Sequence, residues 1–176
     1  QMSSDKRFDW QRFNSGLGRV LWGFFKKVAV ADSLAPYVDQ CFQSPETFGS
    51  MHLLIGVVFY AFQIYCDFSG YSDIAIGLAR MMGYDFPENF KTPYFSRSFS
   101  EFWTRWHISL SSWLRDYLYI PLGGNRYGPF HTYKNNMLTM LLGGLWHGAN
   151  MAFVFWGFLH GFYLILQRIV TPRWRR

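Results

Sequence analysis

The feature that most constrains this chain is a stretch without formal charge: residues 135–167 contain no Asp, Glu, Lys or Arg. At a helical rise of ~1.5 Å per residue, ~20 apolar residues already cross the hydrocarbon core of a bilayer. The stretch therefore belongs in lipid or in a membrane-protein interior, and it is longer than one perpendicular crossing needs. Gly143, Gly144 and Gly148 offer a break. A short or re-entrant piece followed by a full helix over 149–166 is the expected layout. His147 sits at that break. An ionisable group in such surroundings is costly unless partnered, and tends to mark a pathway or a reaction centre. The residue type alone leaves two roles open, a reacting group or a histidine that fixes helix packing. His160, roughly 20 Å further along an unbroken helix, is too far to share a metal with it and reads as a packing or interfacial histidine.

Composition supports the membrane setting. The chain has 176 residues, of which 50% are hydrophobic, 22% aromatic and only 16% charged. Its 8 Trp and 11 Tyr suit the headgroup interface, where a ring is sheltered and its polar atom wet. A mean hydropathy of −0.03 requires amphipathic segments between the apolar ones. The net charge of +6 comes from basic residues flanking apolar segments, which fits anionic headgroups better than nucleic acid. Cys41 and Cys66 have neither disulfide-framework nor metal-site spacing.

Taken in order, residues 1–15 form a polar lead-in carrying Lys6, Arg7 and Arg12. Residues 17–31 read as an interfacial or partly buried helix with snorkelling Lys26 and Lys27. Residues 28–79 lack Lys and Arg, so the loop around Pro45 is expected to face away from the cytoplasm. The apolar residues 51–66 run into a polar insert, Asp67 to Asp73, read as a helix break in which Ser and Asp cap the two ends. A secondary reading makes Asp67 or Asp73 the group that orients a histidine. A helix over 74–82 ends near Gly83, and an irregular segment follows to Arg97.

Ser98 and Glu101 match a capping box that opens a helix over 99–117. At ~100° per residue, Phe99, Phe102, Trp103, Trp106, Leu110, Trp113, Leu114 and Tyr117 share one face. Glu101, Arg105, Ser109, Ser112, Arg115 and Asp116 share the other. His107 lies at the flank of the apolar stripe. Pro121 and Gly123-Gly124 end the helix, and the loop 123–134 carries a surface histidine, His131. The basic and aromatic tail 172–176 reads as a membrane-edge anchor. No phosphate-binding glycine loop, G-x-S-x-G elbow or H-E-x-x-H pair occurs.

Three stretches, residues 65–77 (YCDFSGYSDIAIG), 101–111 (EFWTRWHISLS) and 142–150 (LGGLWHGAN), together resemble the membrane-bound O-acyltransferase (MBOAT) family. The resemblance is to its bacterial branch of alginate O-acetyltransferase membrane subunits, and it runs from about Phe13 to Gln167. It implies an all-α, multi-pass membrane protein with transmembrane or re-entrant helices and an amphipathic interfacial helix. Residues 1–176 would be one membrane domain, the central part of a longer protein of the bacterial inner membrane. The implied activity is acetyl transfer to a hydroxyl from a cytosolic thioester, with acetyl-CoA as donor substrate and no bound cofactor or metal. The acetyl group would end on an extracytoplasmic polysaccharide through acetyl-handling partner proteins. The family's essential histidine maps to His147 and its second recurrent histidine to His107.

That assignment is chemically coherent. A hydroxyl is a weak nucleophile at neutral pH, and a neutral imidazole, pKa near ~6.5, can take its proton during attack on the thioester. Apolar surroundings would keep His147 neutral, while His107 could orient a substrate or stabilise charge on the carbonyl oxygen. The alternative is a transporter or channel with a polar path lined by His147 and Asp67.

Overall fold

The computed structural model describes residues 7–171, and these form only helices and connecting turns. Their contacts divide the chain into two compact units, Gln1–Glu88 and Asn89–Arg176.

The first unit is built on two long antiparallel rods. α1 (Trp10–Phe24) starts where Asp9 accepts hydrogen bonds from the backbone N–H groups of Gln11 and Arg12, so much of the expected polar lead-in is already helical. It passes through a π-helical turn (Phe25–Ala31) into α2 (Asp32–Gln43) without leaving helical conformation. A short turn at Pro45–Thr47 reverses the chain into α3 (Ser50–Met81). α3 has 32 residues, about 48 Å at helical rise.

The polar insert does not break α3. Side-chain pairing from the neighbouring rod satisfies it instead. Asp73 accepts from Arg19 at 2.8 Å and from Lys26 at 2.5 Å, and Lys26 also donates to Ser69 at 3.0 Å. Asp67 pairs with Lys27 at 2.5 Å, and Lys27 reaches Asp32 at 2.9 Å. Lys26 and Lys27, expected to snorkel, thus bind carboxylates of this unit. Asp67 and Asp73 are likewise engaged by these cations, so the reading in which one of them orients a histidine gains no support.

Glycines let the rods come close enough for this pairing. A Cβ on Gly23 would lie 2.6 Å from the Gly70 carbonyl oxygen, and one on Gly77 would lie 2.6 Å from that of Gly16. The two pairs, Gly16 with Gly77 and Gly23 with Gly70, recur after seven residues on each rod, two helical turns. Small residues at such spacing permit backbone contact where lipid offers helices no hydrophobic reason to associate.

The second unit holds shorter helices and one hairpin. α4 (Phe99–Arg105) is capped by Ser98, whose Oγ accepts from the Glu101 N–H at 3.1 Å. The Glu101 carboxylate reaches back to the N–H of Arg97 at 2.8 Å, one residue earlier than a capping box requires. The expected continuous helix over 99–117 is broken: Trp106 is extended, His107 is left-handed, and α5 (Ile108–Leu114) begins afresh. Segment 89–91 takes over backbone groups at the break, with Lys91 N–H donating to Arg105 and Ile108 N–H donating to Asn89, both at 2.9 Å. A π-helical turn (Arg115–Tyr119) and a glycine-rich turn lead to α6 (Pro129–Trp146). α6 begins before the uncharged stretch, so His131 lies in its first turn, exposed, and not in a loop. Asn135, fully buried on α6, donates to the carbonyls of Leu122 and Gly124 and so fastens the preceding turn.

α6 runs through Gly143 and Gly144 to Trp146, and residues 147–150 reverse the chain into α7 (Met151–Val170). Asn150 caps α7 by accepting from Ala152 N–H at 2.9 Å. The hairpin closes on small residues. A Cβ on Gly144 or Gly157 would collide with the backbone carbonyl of Phe153 or Met140, and one on Gly161 would lie 2.9 Å from the Met137 sulfur. α4 lies against α7, with Phe99 stacked on Tyr163 at 4.7 Å and Ser100 N–H donating to Gln167.

Two helices, Ser50–Met81 and Met151–Val170, are long and apolar enough to cross a membrane, and only 22% and 11% of their most apolar windows are buried. Leu54, Val57, Phe155 and Ile169 are among their exposed apolar side chains. Apolar exposure on this scale in a soluble monomer would mark an interaction surface. The expected basic anchor at 172–176 lies outside the described residues.

Two outcomes follow for the thermal stability of the full-length protein in detergent. Asp73→Ala leaves Lys26 and Arg19 without their shared carboxylate and is expected to cost roughly 3 kcal/mol, more than Asp67→Ala at its more exposed pair. Gly157→Val drives a side chain into the Met140 backbone and is expected to cost at least ~1–3 kcal/mol, whereas Gly18→Ala, which meets nothing within 4 Å, is expected to be tolerated.

Candidate active site

Both candidate histidines occupy places where a helix stops. His147 caps the C-terminus of α6 at the hairpin turn, where its N–H donates to Gly144. His107 sits in the break between α4 and α5 with φ 42° and ψ 56°. A non-glycine residue in that conformation costs of order 1–3 kcal/mol and persists only where its surroundings over-determine it. Thr92, just after the segment that pairs with the break, is left-handed too, at φ 43°.

The structure brings His107 and His147 to one cavity of about 10 Å³, the room of a single water, walled by Trp103, Trp106, Leu110 and Trp156. The His147 ring meets Trp156 edge-on at 5.4 Å and Trp146 at 5.1 Å, and Trp146 also lies 6.2 Å from the His107 ring. His147 is nevertheless exposed on its other side, since it occupies a turn and not the middle of an apolar helix. The apolar surroundings expected of His147 are therefore present on one side of its ring.

His107 is held below the ordinary histidine range, at about 4, first by burial and then by the neighbouring His147. It is therefore neutral at pH 7. Its Nδ1 lies 3.3 Å from the side-chain oxygen of Asn89, which also accepts from the backbone N–H and hydroxyl of Ser109 at 3.1 and 2.9 Å.

His160 stands apart from the two-histidine cavity. Its ring is surrounded by Trp156 at 4.6 Å, Trp103 at 5.1 Å and Phe102 at 6.2 Å, in keeping with a packing role. Among the described residues no three His, Cys, Asp or Glu side chains come together as a metal site.

A larger cavity of about 260 Å³ shares Trp103 and Leu114 with the small one and extends to Ser112, Asn136 and Thr139. Thr139 Oγ1 and Trp103 Nε1 are buried there with no hydrogen-bond partner among the described residues. The chamber next to the histidines thus combines apolar walls with unspent polar atoms, the usual make-up of a ligand site. Asn89, Trp156 and Thr139 also lie at this candidate site and fall outside the three motifs, whereas Ser109 lies within the second. Of these, only Trp156 and Thr139 lie in the uncharged stretch that first drew attention.

The chain is 58% identical over 159 residues to a probable alginate O-acetylase AlgI of Pseudomonas putida, covering 89% of this chain and 32% of that protein. It is 42% identical over 165 residues to a peptidoglycan O-acetyltransferase of Helicobacter pylori, covering 93% and 31%. It is 36% identical over 121 residues to a teichoic acid D-alanyltransferase of Streptococcus thermophilus, covering 64% and 29%. The chain therefore spans about a third of the length of these relatives. The family profile described as MBOAT, membrane-bound O-acyltransferase family, matches residues 1–176, and the chain belongs to that family.

Proposed function

We propose that the full-length protein containing this chain transfers an acetyl group from acetyl-CoA to a hydroxyl, in the service of O-acetylating an extracytoplasmic polysaccharide of the alginate class. The observation that carries the reading is the pair of histidines from two helix breaks lining one tryptophan-walled cavity. The relatives that acetylate are 58% and 42% identical, against 36% for the one that transfers D-alanine, which favours acetyl over D-alanyl as the transferred group.

In this mechanism neutral His147 takes the proton of the acceptor hydroxyl as its oxygen attacks the thioester carbonyl carbon. The tetrahedral intermediate collapses by breaking the C–S bond, and the imidazolium returns the proton to the leaving sulfur. One ester and one free thiol result. General-base catalysis of this kind contributes ~10²–10⁴-fold. His107 is a second catalytic residue that orients a substrate or stabilises charge at the carbonyl oxygen. The tryptophan walls keep bulk water, a competing acceptor, from the thioester.

The multi-pass arrangement, the bacterial inner membrane as its location and the extracytoplasmic acetyl-handling partners belong to the same proposal. Two helices of spanning length and the exposed apolar faces support it. The transporter reading is disfavoured because Asp67, half of its polar path, is paired with Lys27.

The test uses the full-length protein reconstituted in vesicles with acetyl-CoA labelled in the acetyl group and a hydroxyl acceptor. Labelled ester and free CoA are expected to appear in equal amounts. Solute flux independent of acetyl-CoA, with no acetylated product, would overturn the proposal in favour of transport.

A further inference from the structure

We propose that Asn89 is a positioning residue: its side-chain oxygen holds His107 in the Nδ1–H tautomer, so that Nε2 meets the substrate as a hydrogen-bond acceptor. The tautomer follows from geometry alone, and only the statement about substrate rests on the acyl-transfer reading.

A backbone N–H can only donate, so the Asn89 atom 3.1 Å from the Ser109 N–H is the amide oxygen and not its nitrogen. An amide oxygen can only accept, so the His107 Nδ1 at 3.3 Å from the same atom carries the hydrogen. The contact is at the long end of the hydrogen-bond range because one oxygen serves three donors. The competing arrangement would turn the Ser109 hydroxyl to His107 Nδ1 at 3.4 Å and forfeit its 2.9 Å bond to Asn89. It would also set the Nδ1 lone pair against the oxygen lone pairs. Both terms favour Nδ1–H.

The backbone of the same segment secures the backbone on both sides of His107. The Asn89 carbonyl accepts the Ile108 N–H, and the N–H of Lys91 donates to the Arg105 carbonyl, so the left-handed residue between them is pinned at both flanks. A neutral Nδ1–H histidine has only a lone pair at Nε2. It can accept a hydrogen bond there from a substrate hydroxyl other than the reacting one, whose single hydrogen goes to His147, but it cannot donate one to a developing oxyanion. Of the two roles open to His107, the geometry points to orienting the substrate.

The experiment is nitrogen-15 NMR of the full-length protein in lipid with ring-labelled histidine, the His107 signals being identified by their loss in His107→Gln. A protonated Nδ1 and an unprotonated Nε2 are expected for the wild-type ring at pH 7. Kinetics with labelled acetyl-CoA supply the second readout. Asn89→Leu removes the acceptor and is expected to lower kcat roughly tenfold or more, with KM within about twofold, as when an orienting partner of a catalytic histidine is lost. Asn89→Asp keeps an accepting oxygen and is expected to recover most of the rate. A wild-type ring protonated at Nε2, or wild-type kcat in Asn89→Leu, would overturn the proposal. Should Asn89→Leu fail to fold, the wild-type spectrum decides. That spectrum also stands whether or not acetyl transfer is found, so failure of the acyl-transfer reading is distinguishable from failure of this one.

Discussion

Backbone approach at glycine is the constraint on which both units depend. In the second unit, Gly144 and Gly157 bring α6 and α7 so close that the carbonyls of Phe153 and Met140 fill the space a Cβ would need. That closeness is compatible with a reversal of only a few residues, and the reversal is where His147 sits. In the first unit the reciprocal pairs Gly16 with Gly77 and Gly23 with Gly70 do the same for two longer rods. Between helices surrounded by lipid, such packing and internal polar pairing replace the hydrophobic drive that assembles soluble bundles.

Close approach has an electrostatic consequence. It places the cations of one rod against the carboxylates of the other, with Lys26 and Asp73 both largely shielded, at 12% and 15% exposure. An unpaired charge there would be strongly unfavourable, whereas the paired set is tolerated and fixes register. The second unit handles its polar burden differently. Its two helix breaks leave backbone groups without helical partners, and segment 89–91, Gly144 and Asn150 supply them. The histidines gain their irregular positions from those substitutions.

Much of this was legible in the sequence. The uncharged stretch, the spanning length of α7 and a break by Gly148 follow from charge spacing and residue size, although α6 runs on through Gly143 and Gly144. The end of α3 follows from Gly83. What misleads is polarity read locally: Asp67 to Asp73 looks like a helix break because its counter-ions lie forty or more residues away in the chain. The converse error arose at residues 106–107, where no Gly or Pro interrupts the amphipathic pattern. That break is imposed by hydrogen bonds from a segment without periodicity of its own. Asn89 was invisible for the same reason, since a single Asn in an irregular segment carries no pattern to detect.

The central claim is that His147 is the proton acceptor in acyl transfer. The most direct measurement is the single-turnover rate of acetyl transfer by full-length His147→Gln, shown by its unfolding temperature to be folded. The expected rate is ~10²–10⁴-fold lower than that of the wild type, the contribution of a general base. A wild-type rate in the folded variant would contradict it.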